Sequence, residues 1–321
     1  MRRDEVIKAI TFNGPERVPI YFFNRDQDQS DIVAIDVQNH FMGPGENISE
    51  WGFTWERLDE TMGQPKDYVL ADWDNLTRLD IPDPSDPQRF VDIPDFNRKY
   101  PDRFRMAALG LSGFTTMWCL RGFDKLMLDI AVNPEKVTTL AEIVFGFENQ
   151  LIAELPRFDF DGVAFFDDWG TQTGMLISPK DWREFFKPRY EHQFKLVHDL
   201  GMLVYFHCCG QYLPIIPDLI EVGVDVLNVS QPNLYDIPEL GRRFGGKVCF
   251  ICPVSYQTTS ISGTREEIFE DVRLLVENLG EFNGGLIGYV EEYQSIGLSE
   301  SNYQACGDAF KILGRYPISR K

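Results

Sequence analysis

From about residue 103 onward, short apolar runs alternate with longer stretches in which apolar positions recur every three or four residues. The runs predict strands at 105–110, 162–166, 203–208, 224–229, 248–252 and 285–290. The periodic stretches predict helices at 133–155, 181–200, 213–222 and 265–279. Ser178-Pro179 and the pair Thr264 and Glu267 mark two helix starts, the second as a capping box. The first hundred residues have no such rhythm. They hold one apolar run at 18–23, a tryptophan-rich stretch at 51–55 and a proline-studded, extended segment at 81–87. Repeated strand and helix units with buried strands predict an α/β fold, a parallel sheet covered by helices. Six such strands and the run at 18–23 make seven, and one more in the N-terminal hundred closes a (β/α)8 TIM-type barrel with an irregular N-terminal extension. An open doubly wound sheet is the alternative, but no G-x-G-x-x-G follows the first strand. We expect a single barrel domain over 1–321, with 1–100 the irregular part and 101–321 the regular units.

Composition narrows the function. The 321 residues carry a net charge of −19 at pH 7, a field that repels phosphate backbones and anionic membranes, so no nucleic-acid or membrane role is expected. No stretch approaches the ~20 apolar residues of a membrane span, and the charged start Met1-Arg2-Arg3-Asp4-Glu5 is unlike a signal peptide, which reads as cytoplasmic. Six cysteines are too few for a disulfide scaffold. Cys119, Cys306 and mid-strand Cys249 read as small hydrophobes; Cys252 is balanced between packing and lining a site.

In a barrel the chemistry lies at the C-terminal ends of the strands, and polar residues gather there in this sequence. Asn24 to Gln27 follow the first run, Asp167-Asp168-Trp169 the third, Ser230-Gln231 the fifth and Glu291-Glu292 the last. The sharpest cluster is His207-Cys208-Cys209-Gly210. Strand alternation points His207 and Cys209 the same way and Cys208 the other, so an imidazole and a thiolate can share one ion, zinc being the commonest match. A third protein ligand must come from another strand end: Glu292, Glu291 or Cys252. Of the adjacent Asp167 and Asp168, at most one faces the site. Aromatic residues at 51, 55 and 169 are expected in the core more than in a pocket.

These residues together resemble the uroporphyrinogen decarboxylase superfamily. The landmarks are Arg17-Val18-Pro19-Ile20, Phe166-Asp167-Asp168-Trp169-Gly170, Leu176-Ile177-Ser178-Pro179, Phe206-His207-Cys208-Cys209-Gly210, Gly263-Thr264-Arg265-Glu266-Glu267 and Glu300-Ser301-Asn302. The resemblance implies a (β/α)8 barrel and two branches, decarboxylases and corrinoid-linked methyltransferases. Decarboxylases of the family carry an arginine-rich loop after the first strand, whereas Asn24-Arg25-Asp26-Gln27-Asp28-Gln29 has one arginine and two acids, a poor host for a polyanion. The methyltransferase branch holds zinc with His-x-Cys and a distant third ligand, which His207 and Cys209 match. The family's distant ligand is commonly a cysteine near the last strands, where this chain has Glu291-Glu292; Glu292 is inferred to substitute, with Glu291 or Cys252 next. An oxygen donor in that place leaves zinc more Lewis-acidic and favours an oxygen leaving group.

The resemblance therefore implies the first methyltransferase of an anaerobic O-demethylase system. It would cleave a methoxylated aromatic and pass the methyl to the cob(I)amide of a partner corrinoid protein. The alternatives are methylcorrinoid-to-thiol or -pterin transfer and a metal-free decarboxylase. His207, Cys209, Asp167 and Asp168 are the expected catalytic residues, one of the aspartates orienting His207 or holding a substrate hydroxyl. Asn24, Asp26, Trp169, Gln172 and Gln231 are the expected substrate contacts. Trp51 to Trp55 and Met62-Gly63-Gln64 are expected to shape the pocket or the corrinoid-docking mouth. No Asp-x-His-x-x-Gly run is present, so cobalamin is expected on a separate protein; a homodimer is compatible with the sequence.

Overall fold

The computed structural model of the chain describes residues 1–38, 45, 47–57, 63–292 and 296–318. Strands β1 (Ile20–Phe23) and β2 (Ile32–Asp36) are followed by a small antiparallel pair, β3 (Trp55–Glu56) with β4 (Gln64–Pro65). Then come β5 (Phe104–Leu111), β6 (Gly162–Phe166), β7 (Leu203–Cys208), β8 (Val226–Val229), β9 (Cys249–Pro253) and β10 (Leu286–Glu291). The eight longer strands form one parallel sheet in the order β1-β10-β9-β8-β7-β6-β5-β2. Its two ends, β1 and β2, face each other, so the sheet curls into a nearly closed (β/α)8 barrel.

The eighth strand, β2, is the one that periodicity alone does not find. Its apolar run Ile32-Val33-Ala34-Ile35 lies so soon after β1 that no crossover helix separates the two, and the strand-helix rhythm breaks there. Side chains close this seam. The Ser30 hydroxyl accepts from the Phe22 amide at 3.0 Å and donates to the Ile32 carbonyl at 2.5 Å. Asp31 accepts from the Ile20 amide at 2.8 Å and holds the Arg17 guanidinium through two contacts of 2.6 Å.

Helices α1 (Arg2–Ile10) and α2 (Ile93–Lys99) belong to the N-terminal part. The outer layer comprises α3 (Gly113–Arg121), α4 (Phe123–Val132), α5 (Pro134–Glu154), α6 (Pro179–Phe185), α7 (Lys187–Asp199), α8 (Ile216–Glu221), α9 (Ile237–Phe244), α10 (Thr259–Ser262), α11 (Arg265–Leu279) and α12 (Glu300–Leu313). The capping box of α11 is formed: Thr264 Oγ1 accepts from the Glu267 amide at 3.3 Å, and Glu267 accepts from the Thr264 amide at 2.7 Å. The helix expected at 181–200 is instead two, parting at Phe186, because Pro188 lacks an amide hydrogen and fits only a first turn. The helix expected at 213–222 shortens to α8 behind a 3-10 turn at Leu213–Ile215.

Strand alternation divides the interior in two. One set of side chains, including Tyr21, Met106, Ala164, Tyr205, Ile251 and Tyr289, fills the barrel lumen, and Val6, Ala9 and Ile10 of α1 pack against it. The other set, including Phe22, Val163, Phe165, Phe206, Leu227 and Phe250, packs outward against the helices. No helix among the described residues is long and apolar enough to cross a membrane.

Candidate metal centre

His207 lies near the end of β7 in the same alternation as Tyr205 and so faces the lumen. Its neighbour across β6 is Phe166, with ring centroids 5.3 Å apart. Two residues further along each chain, Asp168 and Cys209 keep this register, and the Cys209 amide donates to Asp168 Oδ1 at 2.7 Å. The chains leaving β6 and β7 can run this close only because both lack a side chain where they touch. A Cβ on Gly170 would stand 2.4 Å from the Gln211 nitrogen, and one on Gly210, at φ +76°, 2.2 Å from the Gly170 carbonyl carbon. The Gln211 amide then donates to the Thr171 carbonyl at 2.8 Å.

Asp168, His207 and Cys209 thereby form a donor group whose ligand atoms all lie within 4.8 Å of one another, and among the described residues they are the one such group of three. Cys209 Sγ is 3.4 Å from His207 Nε2, and Asp168 Oδ1 is 3.7 Å from the same nitrogen. Bonds of about 2.3 Å to sulfur and about 2.1 Å to nitrogen and oxygen put the donors of tetrahedral zinc about 3.4–3.6 Å apart, so the set fits that ion with one position left open. Neighbouring residues fix the donors as metal ligands are usually fixed. His207 Nδ1 is 2.6 Å from Asn228 Oδ1, and Asn228 Nδ2 donates to the Ile251 carbonyl at 2.8 Å, which orients the amide so that Nε2 is turned to the cluster. The Ser230 hydroxyl donates to Cys209 Sγ at 3.3 Å.

Electrostatics agree. Burial pulls the His207 imidazolium down, but the Cys209 thiolate beside it, the hydrogen bond between them, the Asp168 charge and Asn228 outweigh that and hold the group up at about 10. This concentration of negative charge favours a cation.

The other expected residues divide by the face they occupy. Asp167, one place before Asp168, points away from the lumen. Its carboxylate is fully buried and accepts from the amides of Phe114 and Thr115 at 2.9 and 2.8 Å, from the Thr115 hydroxyl at 2.7 Å and from the Tyr190 hydroxyl. It ties the start of α3 to β6. Burial pushes it up to about 7 in spite of those donors. The partner of His207 Nδ1 is Asn228 and not an aspartate; the sequence signals Asn228 only as the polar member of the run Val226-Leu227-Asn228-Val229.

Trp169 is likewise buried outside the lumen, stacked on Phe114 at 4.4 Å, its indole N–H donating to Tyr190 at 3.1 Å. Cys252 is fully buried among the outward-facing side chains, since its neighbour Ile251 takes the lumen side. Glu292 is not brought to the pair either; its carboxylate lies 3.5 Å from Arg25, which also binds Glu300 at 2.8 Å and stacks over Tyr303. Glu291 does face the lumen, accepting from the Tyr289 hydroxyl at 2.8 Å, but it stands outside the three-donor group.

Gln231 Oε1 accepts from the Gly210 amide at 2.7 Å and so supports the loop that carries Cys209. Asn24 and Gln172 are exposed, and Asp26 lies 3.9 Å from Arg25; none of these three joins the donor group. Trp51 and Phe53 are buried in the outer layer, the Trp51 ring 5.0 Å from that of Phe147, while Met62 lies outside the described residues.

No curated protein sequence matches the chain significantly. Among solved structures, a methyltransferase from Methanosarcina mazei superposes with a TM-score of 0.75 at 13% identity, over 97% of this chain and 98% of that one. A 3-keto-D-glucoside 4-epimerase from E. coli reaches a TM-score of 0.45 at 13% identity over 69% of this chain and 83% of its own. The sequence model of uroporphyrinogen decarboxylase (URO-D) matches residues 56–288. That span runs from β3 into β10 and includes all three donors, and on it the chain belongs to the uroporphyrinogen decarboxylase family.

Proposed function

We propose that this chain is a zinc-dependent methyltransferase that cleaves the methyl ether of a methoxylated aromatic and delivers the methyl group to the cob(I)amide of a partner corrinoid protein. The observation that carries the reading is the group Asp168, His207 and Cys209 at the C-terminal end of the barrel, where this fold does its chemistry. The fold likeness to a methyltransferase supports it. Zinc held there would supply a Lewis acid that draws charge from the ether oxygen as its bond to the methyl carbon breaks. His207 would serve as a neutral ligand through Nε2, with Asn228 fixing its ring. Cys209 would bind as a thiolate steadied by Ser230, and Asp168 would supply the oxygen donor that the sequence leads one to seek at Glu292. Phe166, flanking His207, offers an aromatic face to the ring being demethylated. The methyl carbon exchanges its bond to oxygen for one to the reduced cobalt, whose electron pair forms the new bond, and the aryl oxygen leaves as a phenolate.

The decarboxylase reading loses support from the same end of the barrel. Arg25, the one arginine of the loop after β1, is engaged by Glu300 and Glu292. The test is metal analysis together with incubation of the zinc-loaded protein with cob(I)alamin and a panel of aryl methyl ethers. We expect about one zinc per chain and formation of methylcobalamin with the matching phenol. Full activity after exhaustive chelation, or transfer only from methylcobalamin to thiols, would overturn the reading.

A further inference from the structure

We infer that Glu291 selects the substrate, accepting a hydrogen bond from a free hydroxyl on the aromatic ring, so that the chain takes methoxyphenols and rejects methoxybenzoates. The inference rests on the methyl-ether reading above and names its substrate class. Glu291 ends β10, and β10 lies three strands from β7 in the ring, so its carboxylate and the His207 cluster stand on different walls of the same mouth. Its lumen-facing orientation follows from the alternation with Ile287 and Tyr289 and from the 2.8 Å bond to the Tyr289 hydroxyl. Aromatic rings stand beside both. Tyr21, Phe23 and Tyr289 pack with centroids 5.6–5.9 Å apart beside Glu291, and Phe166 lies between Tyr205 and His207 beside the cluster. The Tyr256 phenol, raised first by burial, also feels the charges of Cys209, Glu291 and Asp168.

The charge balance of this mouth decides the class. Among lysines and arginines the eight strands carry one, Arg105, which the alternation with lumen-facing Phe104 and Met106 turns outward to Asp159. A dication held by one thiolate, one carboxylate and a neutral imidazole is overall uncharged, so Glu291 leaves the mouth negative within a chain of net charge −19. A ring carboxylate brought there meets repulsion, and among the described residues no lysine or arginine on the lumen face of the strands offsets it. A ring hydroxyl brings a proton to a charged acceptor, the stronger kind of hydrogen bond.

The experiment measures binding to zinc-loaded protein by calorimetry, without corrinoid. The probes are the three methoxyphenol isomers, the corresponding dimethoxybenzenes and the methoxybenzoates. Wild type should bind one methoxyphenol about tenfold or more tighter than its dimethoxy and benzoate counterparts. Glu291→Leu should bring that difference to within about twofold at unchanged zinc content, and Glu291→Gln, which keeps an acceptor oxygen and nearly the same shape, should keep part of it. Equal binding of methoxybenzoate by wild type, or a preference that survives in Glu291→Leu, overturns the assignment of Glu291. Demethylation by cob(I)alamin is scored separately. Demethylation without preference among the probes leaves the methyl-ether reading standing and removes Glu291 from it. Glu291-dependent binding with no demethylation of any probe keeps the assignment and removes the reading.

Discussion

Asp167 and Asp168 are neighbours in sequence and yet belong to two different regions of the molecule. Asp167 enters the packed layer between barrel and helices, where four donors from Phe114, Thr115 and Tyr190 surround it and no ion could reach it. Asp168 enters the mouth of the lumen, half exposed, beside an imidazole and a thiolate. The step of one residue reverses the face, and with it the meaning of the same carboxylate: on one side it holds the scaffold together, on the other it can hold a metal. The lesson applies to Cys208 and Cys209 as well. Cys208 Sγ accepts from the Trp169 amide at 3.2 Å inside the outer layer, while Cys209 faces Ser230 and His207.

If the two faces are functionally separate, substitutions should divide the same way. The largest effect belongs to the mouth: His207→Ala and Cys209→Ala should each lose the metal, measured by plasma emission, and lower turnover by on the order of a thousandfold, the few kcal/mol that a Lewis acid supplies. The unfolding midpoint of Cys209→Ala without metal should stay close to wild type, whereas His207→Ala also leaves the buried Asn228 oxygen without its partner and should cost about 1–3 kcal/mol. The aspartate pair then gives the direct contrast. Asp167→Ala strands four buried donors and should cost about 3–5 kcal/mol in urea unfolding. Asp168→Asn should leave metal-free stability within about 1 kcal/mol and weaken zinc binding by roughly tenfold to a hundredfold in a competition assay. Equal losses of stability in the two variants would dissolve the distinction.

Gly170→Ala probes how the faces are joined, because it alters no ligand. The new methyl group would meet backbone, which has nowhere to go, at 2.4 Å from the Gln211 nitrogen. Parting the two chains should cost about 2 kcal/mol and weaken zinc binding by on the order of tenfold, since Asp168 and Cys209 are held together by that contact. Unchanged zinc affinity would show that the crossing does not position the donors.

Much of this arrangement was legible in the sequence, and the misses share one cause. The seven strands with buried apolar runs and the His207 and Cys209 pairing follow from alternation within a single segment, which sequence displays directly. Asp168 as the third donor depends on the register between β6 and β7 and on the Gly170 and Gly210 crossing, neither of which appears in one segment alone. A third donor sought at Glu292 rests on a strand end, but one residue beyond lumen-facing Glu291 the side chain turns to Arg25. Strand β2 escaped because its connection to β1 holds no helix, and Asn228 because a single polar residue in a buried run gives no hint of what it faces.

The remaining effect concerns the outer region and its dependence on pH. Glu148 of α5 is fully buried, accepts from the Gly113 amide at 2.7 Å and from Gln193 at 2.8 Å, and sits near Asp167 behind the mouth. Burial, opposed by those two donors and reinforced by the Asp167 charge, pushes it up to about 8. A carboxyl held above its unfolded value keeps its proton longer in the folded chain, so the stability it contributes is complete below about pH 4.5 and falls as pH rises toward about 8. Glu148→Gln, which stays neutral and keeps both an acceptor and the shape, should remove that part of the slope. In urea unfolding at pH 5 and pH 8, wild type should lose about 1–3 kcal/mol more across the interval than the variant, with the two nearly equal at the acid end. Zinc content should be the same in both, because Glu148 is bonded to Gly113 and Gln193 and is not one of the three donors; an equal slope would mean that Glu148 is already ionised in the folded protein and that the outer layer tolerates two charges side by side.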